Sequence, residues 1–560
     1  MAGDSSSSGG FKREVSLLGL TSITVGAIVG SGIFALMATM GSVAGPAAIV
    51  GILILGVVII LLALPYAELG AAFPATGGPY TIPRRALGDY GGFLMGWGYF
   101  LYAFTGTAAI VDVFVIYLGT YVPGLTAVSA GYEVISLPGI AIALAIVAAF
   151  TVLNILGVKW GSIFAIVTTF AKLIPLLLFA VVGLLFLRGG GLSNFTGYGF
   201  APFGWTGVMF AMALGFFAFT GFEAAVVPGD EVRNPARTIP IATIVSVLIV
   251  TAIYAFIGFT AIGSLHWAAL GLTPGDWGGT GNVLLSNIAN GWGIVGIGAF
   301  VTAGALISTG GAGGDWVLIQ GRMPYAMAKD NLFFRSLARV NPRFGTPAVA
   351  LVFASVLTGI VLIALPSFPE VVLIASITAL VPYASAALAL SVLRRTEPNA
   401  HRPFRLPAAA VLAPAAFVMA TILIYWASWP WTLVGAISML VGLPLYLLFG
   451  RPTGREVLKV AWIAAYLIGI IVISYLGNPF FIYDNFLPIS PIGLFGTPED
   501  IVILVVFGLV MYFWAYYSAL IPDPKRLPST QSTGKAAGTG TVVADPGTGT
   551  AVADTGTGDG

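Results

Sequence analysis

The chain has 560 residues, no cysteine, 58% hydrophobic and 8% charged residues, and a formal net charge of +2. Soluble domains carry about 25% charged residues, so this composition excludes a soluble enzyme, a disulfide-framed secreted domain and a disordered chain. Basic residues are too dispersed for a nucleic-acid-binding face, and two histidines without cysteine argue against a metal site. The mean hydropathy of +0.98 is that of an all-α polytopic membrane protein.

A bilayer core takes about 20 apolar residues per helix. Fourteen stretches qualify, at 14–41, 45–72, 88–121, 138–156, 160–187, 204–228, 238–263, 292–328, 347–364, 370–394, 407–427, 430–449, 457–476 and 499–521. The first runs past signal-peptide length, and no cleavable leader is expected. With the N-terminus inside and the spans alternating, 22 of the 24 Lys and Arg residues fall on the cytoplasmic side, as the positive-inside rule requires. Both termini are then cytoplasmic, in a plasma membrane. Residues 1–13 and 527–560 are rich in Ser, Gly and Thr and are expected to be disordered tails.

Irregularities inside the spans carry the functional signal. The first span contains Gly26-Ala27-Ile28-Val29-Gly30-Ser31-Gly32-Ile33-Phe34, and the sixth contains Phe217-Ala218-Phe219-Thr220-Gly221-Phe222-Glu223. Either glycine pattern alone is compatible with close helix packing. Together, five spans apart, they predict paired unwound segments, the sequence pointer to a transporter site. The half-helix starting at Gly32 offers free N–H groups to a carboxylate. The half-helix ending before Thr220 offers carbonyls to an ammonium. A site of that polarity fits a zwitterion.

Three further ionisable residues deep in spans need a reason: Lys172, Asp315 and Asp112. Lys172 is expected to be a buried ammonium serving as a tethered cation or proton carrier, with snorkelling to an interface as the alternative. Asp315 could pair with a cation, face the pore or be solvated. Asp112 reads as a buried hydrogen-bonded acid and receives no role.

At these residues the sequence resembles the amino acid–polyamine–organocation superfamily of transporters. The resemblance covers about 14–410 and rests on an ordered set of motifs. These are Gly30-Ser31-Gly32-Ile33-Phe34, Tyr66-Ala67-Glu68-Leu69, Gly77-Gly78-Pro79-Tyr80, Gly221-Phe222-Glu223, Tyr325-Ala326-Met327-Ala328-Lys329-Asp330, Gly345-Thr346-Pro347, and Arg394-Arg395 with Arg402-Pro403-Phe404. It implies two inverted five-helix repeats, 14–187 and 204–394, with helices 1 and 6 broken, and accessory helices at 407–521.

Parts of the chain are similar to the basic amino acid/polyamine antiporters and to the cationic amino acid transporter branch. That similarity implies substrate contacts at Ile28, Ser31, Gly32, Thr107, Phe217, Phe219, Thr220 and Trp316, with Ala103 and Ala375 in the pocket wall. It implies gating or coupling roles for Tyr99, Lys172, Glu223 and Tyr383. Lys172 looks like the helix-five lysine of sodium-independent permeases and would lie near the first break and Ser308 or Thr309. The implied partners are an amino acid substrate, the lipid bilayer and protons as a candidate coupling ion, with no cofactor and no nucleic acid. Proton symport, substrate exchange, a polyamine or organic-cation carrier and a non-transporting sensor stay open, as does the oligomeric state.

Overall fold

The computed structural model describes residues 15–73, 78–129, 132–157, 161–187, 192–226, 232–282, 284–450, 452–478 and 489–521. The two tails lie outside the described residues. Helices follow one another along the chain: α1 (Leu17–Ile28), α2 (Gly32–Ala44), α3 (Ala48–Ala72), α4 (Gly78–Gly119), α5 (Leu137–Leu156), α6 (Gly161–Gly183), α7 (Ser193–Thr196), α8 (Gly204–Phe216), α9 (Pro235–Gly263) and α10 (Leu285–Asn290). They continue with α11 (Ile297–Lys329), α12 (Ala348–Ala364), α13 (Phe368–Thr396), α14 (Ala409–Trp426), α15 (Trp431–Leu440), α16 (Gly442–Phe449), α17 (Gly454–Leu476) and α18 (Glu499–Ala519). Among the described residues, eleven helical segments are long and apolar enough to cross a membrane, and three shorter apolar ones stand beside them. The chain is an all-α polytopic membrane protein.

Local signals set several helix starts. Ser16 caps α1 by accepting the Gly19 N–H, and Ser136 caps α5 by accepting that of Gly139. Thr453 and Glu456 form a reciprocal capping box on α17. Two features differ from the apolar pattern. Helix α4 begins at Gly78, ten residues before the apolar run, and turns sharply at Gly88, whose φ is +85°. A positive φ costs glycine almost nothing, so the polar segment 78–87 can be reoriented there. The loop between α4 and α5 holds an antiparallel hairpin, β1 (Thr126–Ser129) with β2 (Tyr132–Ile135). Its Ile135 N–H donates to Pro366 O, at the entrance to α13.

Packing places α4 at the centre, against α13 on one side and α11 on the other. The half-helix α1 packs on α9, and α2 packs on α8. Helix α13 is buried through nearly its whole length, and α14 lies against it and α18. The lateral faces of α5, α12, α17 and α18 expose leucine, valine and isoleucine, the surface a lipid-facing helix needs.

Candidate functional site

Both predicted interruptions are present. Helix α1 ends at Ile28, the chain leaves the helical path at Val29, where ψ is 86°, and α2 starts at Gly32 after Ser31. Helix α8 tightens into a 3₁₀ turn at Phe217–Phe219, becomes extended at Thr220 and reverses at Gly221, where φ is +102°. The two breaks touch. A Cβ on Gly32 would stand 2.7 Å from Ala218 Cα, and one on Gly221 would stand 2.7 Å from Ala27 O. Only glycine allows either approach.

Tyr254 of α9 clasps the pair. Its hydroxyl lies 2.9 Å from Ala218 O and 3.3 Å from Ile28 O, so one proton serves a carbonyl from each break. The Phe219 ring packs edge-on against Tyr254 with centroids 5.2 Å apart. Two other helices hold carbonyls of the first break. Lys172 Nζ, on α6, donates to Gly26 O, and Ser308 Oγ, on α11, donates to Gly30 O at 3.2 Å. Lys172 is 7% exposed. Its ammonium thus lies against the end of α1, while Ser308 bonds the break itself. Thr309 donates to Ala305 O of its own helix instead. Asp315 acts on Lys172 electrostatically, but it is exposed and forms no close ion pair with it.

Glu223 lies just beyond the sixth-helix break and is 5% exposed. Its Oε1 accepts from Tyr99 of α4 at 3.0 Å and from Tyr383 of α13 at 2.7 Å, and its Oε2 accepts from Gly221 N at 3.1 Å. Tyr66, Phe222 and Phe216 surround Tyr383. Tyr99, Glu223 and Tyr383 therefore join α4, α13 and the segment after the sixth-span break in one hydrogen-bonded layer.

The aromatic wall stands over Gly106 of α4. A Cβ there would meet Trp316 Cζ3 at 3.0 Å and Phe217 Cε2 at 3.5 Å. Tyr102 meets Trp316 edge-on at 4.9 Å. The structure thus brings Phe217 and Trp316 together over Gly106. Thr107 and Thr220 are buried, and each gives its hydroxyl proton to a carbonyl, Ala103 O at 2.8 Å and Phe217 O at 2.7 Å. They keep lone pairs for a ligand but no hydrogen to donate. Ser31 Oγ is buried with no hydrogen-bond partner among the described residues. Ala103 and Ala375 are fully buried.

The remaining motif residues form one polar lock. Glu68 is wholly buried and pairs with Arg394 and, at 3.5 Å, with Arg402, while also accepting from Leu406 N at 2.6 Å. Asp330 accepts from Tyr80 at 2.7 Å and pairs with Arg84. Arg85 pairs with Glu397 at 2.6 Å. These contacts tie α3, α4, α11 and α13 together.

Tyr254 was not foreseeable as a site residue: an aromatic on an apolar helix reads as core. The only usable signal is its hydroxyl, which a buried tyrosine must satisfy.

Two touching helix breaks inside an apolar helical bundle, walled by aromatic side chains, define a membrane transporter rather than an enzyme. Residues 15–474 match the amino acid permease family, and the chain belongs to that family, within the superfamily its motifs resemble. It is 30% identical to the aspartate-proton symporter of Bacillus subtilis (strain 168) over 532 residues, 92% of this chain and 98% of that protein. It is 28% identical to the glutamate/serine transporter AimA of the same organism over 547 residues, 94% and 98% of the two chains. The human cationic amino acid transporter 4 is 29% identical over 399 residues, 70% of this chain and 61% of that one.

Proposed function

We propose that this protein is a secondary-active, sodium-independent amino acid transporter that binds its substrate between the two helix breaks and works by alternating access. The observation that carries the proposal is the contact of the breaks, which sets a half-helix N-terminus beside backbone carbonyls of the other break. The α-carboxylate docks on the first N–H groups of α2, after Ser31 and Gly32, where helix geometry leaves donors unused. The α-ammonium docks on carbonyls near Ile28 and Phe219. Phe217 and Trp316 close over the side chain, with Thr107 and Thr220 presenting oxygen lone pairs.

Lys172 stands as a built-in cation against the first broken helix, which supports independence from sodium. Tyr99, Glu223 and Tyr383 form the gate on the side with the denser basic residues, the cytoplasmic side by the positive-inside rule. The ion pairs at Glu68 and Asp330 reinforce closure there. The same rule supports cytoplasmic placement of both termini, and we propose the plasma membrane as the location.

We further propose an acidic or small polar amino acid as substrate and protons as the coupling ion. Two relatives that span nearly the whole chain carry such substrates in their names, and one is named a proton symporter. Glu223, the carboxylate of the gate, is already engaged by two tyrosines and a backbone N–H. It is therefore poorly placed to greet a cationic side chain.

The test is uptake of labelled aspartate, serine, leucine and arginine into sodium-free proteoliposomes, with and without an inward proton gradient. Gradient-stimulated uptake of aspartate or serine is expected. Uptake of arginine alone, and only against preloaded arginine, would replace this reading with an exchanger.

A further inference from the structure

Asp112 has no part in the site described above. It lies on α4 five residues beyond Thr107, about 7–8 Å along the helix axis, and is 1% exposed. Neither carboxyl oxygen has a hydrogen-bond partner among the described residues.

Its surroundings follow from helix register. Gly98, Thr105 and Asp112 recur every seven residues and share one face of α4. Gly98 abuts Met439 of α15 and Pro382 of α13, since a Cβ there would meet Met439 Sδ at 2.6 Å and Pro382 Cγ at 3.1 Å. The two helices run antiparallel, so Asp112 falls level with the first turn of α13. That turn supplies the buried apolar residues Phe368, Val371 and Val372, and it carries Glu370. The hairpin is tied to the same place by the Ile135–Pro366 hydrogen bond, and its β2 carries Glu133.

The charges that act on Asp112 are Glu133 from the hairpin and Glu370 from α13, both acidic. The other elements near this end of α4 or on this face of it are α2, α5, α10, α12, α15 and the first half of α11, and their sequences contain no charged residue there. No Lys, Arg or His among the described residues forms an ion pair with Asp112.

An ionised aspartate taken away from water carries a desolvation cost that a hydrogen bond or a counter-charge has to offset. Here neither a hydrogen bond nor a counter-charge offsets that cost. Two acidic neighbours add to it.

We propose that Asp112 is a proton-binding site at the α4–α13 seam, on the side assigned above to the exterior. It is occupied by a proton whenever α13 is packed against α4. A proton from external water joins the carboxylate to give the neutral acid, and the seam closes. Losing that proton leaves a carboxylate that requires water, and the seam opens. External protons thereby favour closure over a bound substrate.

The proposal rests on the transport reading for its kinetic consequence but not for the protonation itself, so two measurements separate them. The first is infrared spectroscopy of the purified full-length protein near neutral pH. A carbonyl band of a buried, protonated carboxyl is expected, absent in Asp112→Asn and retained in Asp112→Glu. Wild-type and Asp112→Asn spectra that coincide in that region would overturn the proposal even if transport proceeds.

The second is exchange of labelled for unlabelled substrate, with internal pH clamped and external pH varied. Wild-type exchange should rise on external acidification. The slope should fall at least threefold in Asp112→Asn and persist in Asp112→Glu. An unchanged slope in Asp112→Asn would overturn the proposal. So would stimulation by external sodium that Asp112→Asn abolishes, which would make the site one for a metal cation.

Discussion

Substituting alanine at Gly221 or Gly32 probes the contact between the two helix breaks directly. At Gly221 the new methyl would stand 2.7 Å from Ala27 O, 2.9 Å from Ala27 C and 3.2 Å from Ile28 N. All three are backbone atoms and cannot rotate away. The φ of +102° adds a strain that alanine rarely tolerates, worth about 1–3 kcal/mol. Overpacking adds about 1–3 kcal/mol, for a total of about 2–6 kcal/mol. At Gly32 the backbone carries no such strain, so only the clash with Ala218 remains, about 1–3 kcal/mol. If either strain is relieved by separating the breaks, the substrate loses its paired cradle. A penalty of about 2 kcal/mol corresponds to about 30-fold in affinity. The assay is thermal unfolding of the detergent-purified protein across a range of substrate concentrations, which reports stability and affinity together. Gly221→Ala should weaken binding more than Gly32→Ala, and both should weaken it more than Gly454→Ala, whose added methyl meets nothing within 4 Å. Wild-type affinity and stability in both break variants would refute the contact argument.

Other perturbations have equally definite outcomes. Lys172→Met removes the donor to Gly26 O and leaves that carbonyl unpaired, about 1–3 kcal/mol. Gradient-driven uptake should be lost while the protein still folds, and a wild-type pH response of uptake would remove Lys172 from coupling. Phe217→Ala should weaken substrate affinity through lost aromatic packing, read by competition binding, and unchanged affinity would take Phe217 out of the site. Tyr254→Phe leaves Ala218 O and Ile28 O without their shared donor and should lower the melting temperature and the turnover rate together. For Glu133, outside the spans, burial pushes the carboxyl above its ordinary value of 4.5, against the hydrogen bond from Thr126. A raised acid contributes stability that is present below 4.5 and is lost as pH rises through the folded value. Thermal unfolding of Glu133→Gln should therefore show a smaller loss of stability over that rise, and a curve parallel to wild type would contradict it.

The membrane class and the breaks were legible because they depend on local chemistry. Apolar run length determines a span, and Gly30-Ser31-Gly32 and Thr220-Gly221 each weaken a helix wherever they occur. The partners of the breaks were less legible. Tyr254 is 226 residues from Ile28 in sequence, and its apolar ring hides the hydroxyl that matters. The ordered motifs around Glu68, Asp330, Arg394 and Arg402 pointed to the family without revealing that they pair with one another. The hairpin at 126–135 went unexpected because its strands are four residues each, too short for a clear alternation. Asp112 stood out in sequence as a charge in a span, but only burial without a hydrogen-bond partner separates it from a satisfied core acid.

The central claim is that one site holds both ends of a zwitterion, the carboxylate on the α2 N-terminus and the ammonium on the carbonyls of the breaks. Competition by analogues of the transported amino acid tests it most directly, one lacking the α-carboxylate and one lacking the α-ammonium. Hydrogen bonds to charged groups are worth about 1.5–3 kcal/mol, so each analogue should compete about 10- to 100-fold more weakly than the parent. A decarboxylated analogue that competes as well as the parent would contradict the account and make the protein a carrier of organic cations.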